Sequence, residues 1–393
     1  MAEITYTQNG ETLTVCAAGR IDSTNAADCE SKITGICQSC AHTAVEIDAD
    51  RLEYISSAGL RIILKLIKSE KNIKIVNASP EVYEILDMTG FTEMMKVEKA
   101  YRRMSVEGCE VIGRGANGKV YRIDPETIIK VYLNPDCLPD IQRERELARR
   151  AFVLGIPTAI PYDIVRVGEG YGSVFELLNA KSLAHLMQEN PDKLDEYISV
   201  NVGLLKKIHS TEVKPGDMPD MREVALKWAY FMKDYLPGEK YGKLVRLISD
   251  VPVVHRMMHG DYHVKNVMMQ NGEALLIDMD TLCQGHPVFE LASMYNAYVG
   301  FSIVDRSQSM AFLGLEYPVS EAIWKKSLRM YLGSDDEKYV SDVEKKAMLI
   351  GLMRLYRRLR RRNGADTEAG RAELEAYMSN ILRLLDEVDS LVF

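Results

Sequence analysis

Two residue types at a fixed spacing, with a third further along, suggest one chemistry. Asp261 and Asn266 stand five residues apart in Met258-His259-Gly260-Asp261-Tyr262-His263-Val264-Lys265-Asn266-Val267. The apolar run Ala274-Leu275-Leu276-Ile277 then ends at Asp278. Transfer of a phosphoryl group to a hydroxyl needs a carboxylate beside the attacking oxygen and hard oxygen ligands for Mg2+ on the phosphates. Asp261 suits the first task as catalytic residue, with Asn266 beside it. Asn266 and Asp278 suit the second. Asp280 has two readings, a further metal ligand or a carboxylate facing solvent. His259 and His263 read as hydrogen-bonding supports of the loop, which leaves the proton to Asp261.

Upstream, Gly113-Arg114-Gly115-Ala116-Asn117-Gly118-Lys119-Val120 reads G-x-G-x-x-G-x-V. A dinucleotide-binding fingerprint would need a helix after the glycines. Here Val120 to Ile123 continues as strand and Asp124-Pro125 makes the next turn. A glycine loop between two strands can lie over nucleotide phosphates, because the backbone approaches without a Cβ in the way. Gly113, Gly115, Gly118 and Val120 are therefore candidate nucleotide-binding positions. Lys130 follows inside the apolar strand Thr127-Ile128-Ile129-Lys130-Val131, where burial is costly unless an anion meets the amine. The next helix offers Glu144 and Glu146 as its partner. Glu144 shares a face with Ala148 and Ala151 and is the preferred one. Phe175 to Leu178 reads as a hinge at which backbone groups would meet adenine.

The wording of these motifs carries a resemblance. His-Gly-Asp-x-His-x-x-Asn followed by Ile-Asp-x-Asp resembles the aminoglycoside phosphotransferase and choline kinase group, whereas ordinary protein kinases have His-Arg-Asp. Phe289-Glu290-Leu291-Ala292 resembles that group's later Asp-Leu-Ala segment, with glutamate for aspartate and no catalytic consequence expected. The resemblance covers roughly 105–300. It implies a protein-kinase-like fold, ATP, Mg2+ and transfer of the γ-phosphoryl group to a substrate hydroxyl. Gly260 replaces the arginine that senses a phosphorylated activation loop in many protein kinases, so regulation by that route is not expected.

The elements that must hold these residues fall into distinct stretches. Residues 1–100 alternate strand patterns (Thr12–Cys16, Ala44–Ile47, Ile73–Val76) with helical ones, which predicts an α/β domain around one sheet. Residues 101–110 read as linker. Residues 111–180 read as a β-rich lobe and residues 181–393 as a helical lobe carrying the acidic motifs. The first hundred residues also resemble a STAS domain, the fold of bacterial anti-sigma factor antagonists. The match rests on Gly19-Arg20-Ile21-Asp22, on Asp48 to Leu60, on Ser79-Pro80-Glu81-Val82 and on Leu86-Asp87-Met88-Thr89-Gly90-Phe91. The expected fold class is thus an α/β STAS domain plus an α+β bilobal kinase-like domain. Ser56 and Ser57 can act as helix N-caps. Ser57 also occupies the phosphorylation position of the switchable antagonists, although Ser56 stands where they have aspartate. A phosphate there would be favoured by the helix N-terminus.

Composition bounds the rest. The 393 residues carry 49 basic and 57 acidic side chains, a net charge of −8, so no nucleic-acid or anionic-membrane coat is expected. The absence of a basic segment before an apolar core at the N-terminus predicts no secretory signal. Seven scattered cysteines then point to a reducing cytoplasm. Cys37, Cys40 and His42 make half of a zinc site with no second pair to close it. Arg354, Arg357, Arg358, Arg360, Arg361 and Arg362 accompany the apolar stripe Leu352, Tyr356, Leu359 and read as a solvated helix face; the alternative is docking of an acidic or phosphorylated partner. The expectation is an ATP- and Mg2+-dependent phosphotransferase acting on a hydroxyl of a small molecule, with a STAS domain that regulates it or binds a partner such as an anti-sigma-like protein. Alternatives are a protein kinase acting on Ser57 or on a partner, and a non-catalytic scaffold.

Overall fold

The computed structural model describes residues 2–114, 118–134 and 137–393. They divide into two compact units, one closing at Ser105 and the other running from Val106 to Phe393. In the first, β1 (Glu3–Asn9), β2 (Thr12–Ile21), α1 (Ala26–Ser39), β3 (Ala44–Ile55), α2 (Ser57–Ser69), β4 (Ile73–Ala78), α3 (Pro80–Met88), α4 (Phe91–Met94) and β5 (Lys96–Lys99) follow in order. The sheet has the same order as the sequence; β1 and β2 are antiparallel and the remaining pairs parallel. Leu13, Val15 and Ala17 on β2 and Val45, Ile47 and Ala49 on β3 alternate into the core. The expected strand centres are in place, but β2 and β3 run well beyond them. β1 was not expected from the sequence, because nearly all of its residues are exposed and it has no apolar face to betray it. Gly59 lets α2 start against β3, since a Cβ there would lie 2.6 Å from the Ile55 side chain.

The second unit begins with β6 (Glu110–Arg114), β7 (Gly118–Asp124), β8 (Thr127–Tyr132), α5 (Leu138–Val153), β9 (Pro161–Val167) and β10 (Gly170–Glu176). The strands form one antiparallel sheet in the order β6-β7-β8-β10-β9. α5 packs on β9 and β10 and also on a 3-10 turn, Met279–Thr281, which belongs to the other lobe.

The helical lobe holds β11 (Lys181–Ser182), α6 (Leu183–Glu189), α7 (Leu194–Ser210), α8 (Met221–Phe231), α9 (Gly238–Ser249), β12 (Met257–Met258), β13 (Val267–Gln270), β14 (Glu273–Leu276), β15 (Cys283–Gln284), α10 (Val288–Tyr298), α11 (Ser307–Leu313), α12 (Tyr317–Leu332), α13 (Glu337–Arg361) and α14 (Glu368–Glu387). All residues of α10 are buried, so it is the central post of the lobe. The hairpin β13–β14 lifts Asn266 and Asp278 to its two ends, where Ile277 N–H donates to Asn266 O at 3.0 Å. No helix among the described residues is long and apolar enough to cross a membrane.

Candidate active site

β8 presents Ile129 to the core, fully buried, and Lys130 to the opposite face. The Lys130 amine lies 2.9 Å from Glu144 Oε1 on α5 and 2.8 Å from Asp278 Oδ1 in the helical lobe. Burial alone would depress the lysine pKa, but the two carboxylates outweigh it and hold the amine charged well above its ordinary range. Tyr132, two residues along the same strand face, donates its hydroxyl to Glu144 Oε2 at 2.6 Å. Glu144 is 5% exposed and therefore locked between a cation and a phenol. Glu146, the other candidate partner, pairs instead with Arg150 at 2.9 Å.

The loop carrying Asp261 is fixed from beneath. Glu290 on α10 accepts the backbone N–H of His259 at 2.5 Å, of Gly260 at 3.0 Å and of Tyr262 at 3.4 Å. Burial pushes the Glu290 carboxyl up, yet the imidazoles of His209 and His259 and the Gly260 N–H hold it below its ordinary value. Its effect on the loop was not foreseen in the sequence. Ser293 Oγ at 3.1 Å and Arg354 at 3.2 Å donate to Gly260 O, and Thr281 Oγ1 donates to His259 O at 2.8 Å. His259 faces Ile277 O through Nε2 at 3.0 Å and receives the Asp261 N–H on Nδ1 at 3.3 Å, as expected of a loop support. Gly260 has φ of +82°, and a Cβ there would stand 2.4 Å from Thr281 O. An arginine at this position is excluded by backbone and space alike.

One cleft of about 680 Å3 is lined by Gly113, Gly118, Val120, Lys130, Glu144, Asp261, Asn266, Asp278 and Asp280 among its residues. Gly115 lies outside the described residues. Gly118 must be glycine, because a Cβ would meet Val131 O at 2.3 Å. Phe175 to Leu178 also line the cleft. Burial would raise the Asp261 carboxyl, but His263 at 3.7 Å, with Arg354 and His259 near, holds it well below the carboxylate range. Asn266 donates through Nδ2 to Asp261 O at 3.0 Å. Asp278 has a left-handed backbone at φ +63°, strain that a non-glycine residue carries rarely and often at functional sites. Asp280 is pushed up to about 7 by burial and by Asp278. Asp278 and Asp280, whose mutual repulsion a cation would relieve, line the cleft with the Asn266 amide and together offer hard oxygen donors of the kind Mg2+ takes.

Other sequence candidates lie apart from this cleft. Ser56 caps α2, its Oγ accepting the Ala58 N–H at 3.2 Å, while Ser57 is the first residue of the helix and exposed. Cys37 and His42 meet Glu70, their ligand atoms all within 4.8 Å, so a third donor from α2's C-terminal end joins a pair that looked incomplete. The arginine run is not simply a solvated face. Arg354 donates to Gly260 O at 3.2 Å and to Ser293 Oγ at 3.1 Å, and Arg362 lines the cleft. The stripe of Leu352, Tyr356 and Leu359 located the core side but could not show that the helix end meets a loop far away in sequence.

A family model described as the phosphotransferase enzyme family matches residues 108–322, more than half of the chain. The chain belongs to that family. This phosphotransferase also carries an N-terminal STAS domain, matched over residues 3–104. That domain is similar to BtrV of Bordetella bronchiseptica, a candidate anti-sigma factor antagonist, with 30% identity over 89 residues, 22% of this chain and 76% of that protein. In fold, the chain is similar to a thermostable mutant of aminoglycoside phosphotransferase APH(4)-Ia in ternary complex with AMP-PNP and hygromycin B. Identity is 11% and the TM-score 0.50, covering 71% of this chain and 93% of the other. A choline/ethanolamine kinase family protein from Mesorhizobium loti matches at 13% identity with a TM-score of 0.46, over 71% of this chain and 88% of that one. The α/β unit followed by a kinase-like β-rich and helical pair is the fold class expected from sequence.

Glu290→Ala would strip three buried N–H groups of their acceptor. Each unsatisfied buried donor costs about 1–3 kcal/mol, so a loss of roughly 3 kcal/mol or more is expected in denaturant unfolding. A loss below about 1 kcal/mol would show that the loop does not depend on this carboxylate.

Proposed function

We propose that this protein is an ATP-dependent phosphotransferase that moves the γ-phosphoryl group of Mg-ATP to an acceptor hydroxyl, in the cytoplasm, with its STAS domain binding a protein partner. The observation that carries the reading is the meeting of Lys130, Glu144 and Asp278 in the cleft that also holds Asp261 and Asn266. Lys130 holds nucleotide phosphate oxygens, with Glu144 orienting its amine. Gly113, Gly118 and Val120 cover the phosphates. Asn266 and Asp278, with Asp280, would hold Mg2+, which would neutralise charge on the transferring group. Asp261, ionised at neutral pH, receives the hydroxyl proton. The acceptor oxygen bonds to the γ-phosphorus as the bond to the bridging oxygen breaks, and ADP leaves with that electron pair. The pinned loop supplies the positioning on which this chemistry mostly depends.

A second reading, phosphorylation of Ser57, is favoured by one observation. Ser56 already caps α2, which leaves the exposed Ser57 hydroxyl without a structural task. A phosphate at that first helical turn would add about two negative charges to the surface offered to a partner. Intact-mass analysis of protein isolated from its source cells should show one phosphate on the wild type and none on Ser57→Ala. Unmodified wild type under every growth condition would remove this reading.

For the main reading, ADP release with a working acceptor is the assay. Asp261→Asn should lower kcat by about 100- to 10,000-fold, the usual range for a general base, while Mg-ATP affinity stays near the wild-type value. Undiminished turnover in that variant would contradict the assignment.

A further inference from the structure

The wall beside Asp261 carries charge that the transfer reaction does not use. Arg354, Arg358 and Arg362 recur every four residues along the last turns of α13 and just past its end, and so form one row. Arg354 sits at the base of the row, its guanidinium bonded to Gly260 O in the loop that carries Asp261. At its outer end Arg362 lines the cleft together with Asp261 and Lys265.

Ring contacts tie the middle of the row to the same wall. His263 approaches Asp261 at 3.7 Å and meets the Phe312 ring at 5.1 Å. Phe312 meets Phe301 at 5.2 Å, and the Arg358 guanidinium lies over Phe301 at 5.4 Å. Lys265 sits over Phe312 at 5.5 Å and donates to Phe312 O. An aromatic floor thus holds one guanidinium and one ammonium in set positions next to the catalytic carboxylate.

No described carboxylate lies within ion-pair distance of the row. Carboxylates on and near α13 are taken by other groups, Glu337 by Arg329 at 2.6 Å, Asp342 by Lys346 at 2.7 Å, Glu344 by Trp324 Nε1 at 2.6 Å and Glu387 by Lys345 at 2.8 Å. Burial first, then the repulsion of Arg362 and Arg354, lowers the Arg358 pKa against the attraction of Asp261 and Tyr377. A helix C-terminus favours basic residues in general. That accounts for Arg360, which stacks on Tyr235 and bonds Tyr356. It does not account for Arg358 and Arg362, which have no carboxylate partner among the described residues and continue the row from Arg354, the one that bonds the loop.

We propose that the acceptor is a small hydroxylated anion whose phosphate or carboxylate is received by Arg358 and Arg362 beside Asp261. The inference rests on the phosphotransferase reading and narrows its substrate class. Guanidinium forks match the two oxygens of such a group and would hold the hydroxyl toward Asp261. A polycationic acceptor such as an aminoglycoside would meet like charge on this wall. Arg362 opens into the nucleotide cleft itself, which favours a small molecule over a protein surface.

Calorimetry on the full chain saturated with Mg-AMP-PNP tests this. The probes are glycerophosphate and phosphoglycerate as anionic alcohols, glycerol as a neutral one, choline as a cationic one, and a seryl peptide flanked by glutamates. The anionic small molecules should bind at least about tenfold more tightly than the other three, the loss expected when a charge-assisted contact is missing. Arg358→Gln and Arg362→Gln should each weaken them by about 10- to 100-fold and leave AMP-PNP affinity unchanged. The inference is overturned if no small anion binds, if choline, glycerol or the peptide binds as well, or if the arginine variants keep full anion affinity. It is overturned too if anion and AMP-PNP affinity fall together, because the arginines would then serve the nucleotide. Failure of the wild type to bind AMP-PNP at all would instead remove the phosphotransferase reading.

Discussion

The second unit is organised around one cation. The Lys130 amine lies between Glu144 from α5 and Asp278 from the helical lobe, at 2.9 and 2.8 Å. β8, the α5 helix that follows it and a segment 148 residues beyond Lys130 must take up their places for this group to exist. A lysine so enclosed would lose its charge without those anions, and the buried Glu144 carboxylate would be costly without the lysine. The sheet, α5 and the β13–β14 hairpin are therefore tied electrostatically as well as by packing. The same arrangement leaves a positive centre facing the cleft, next to the carboxylates that can hold a divalent cation.

A second constraint sets the opposite wall. α10 is buried on every side and carries a single ionised carboxylate, Glu290, at its start. That carboxylate spends its lone pairs on the backbone of the loop that carries Asp261. Arg354 and Ser293 take the Gly260 carbonyl from the other side. The loop is thus clamped through main-chain atoms, while the Asp261 and Lys265 side chains line the cleft and His263 lies buried against Phe312. Gly260 is the residue that permits the clamp, since its positive φ and its contact with Thr281 O leave no room for a Cβ.

Much of this was readable from local pattern. Strand alternation separates Ile129 from Lys130, and helix periodicity sets Glu144 apart from Glu146. Tyr132 could have been found in the same way, because it shares Lys130's strand face. Asp261, Asn266 and Asp278 stand out by spacing. What could not be read is long-range. Glu290 resembled a harmless exchange for aspartate because its three N–H partners lie 28 to 31 residues upstream. Arg354 looked solvated because its partner, the Gly260 carbonyl, is 94 residues away. Glu70 could not be linked with Cys37 and His42, since only folding brings α2's C-terminal end to theirs. β1 has no buried alternation and so left no sign in the sequence.

The central claim is that the pocket around Lys130 binds the phosphates of a magnesium nucleotide. Mg-ATP affinity measured by calorimetry for the wild type and for Lys130→Met tests it most directly. The account predicts saturable binding by the wild type and a loss of about 10- to 100-fold in the variant, the worth of a charge-assisted phosphate contact, with the folded content unchanged. Equal affinity in both proteins, or none in the wild type, would contradict it.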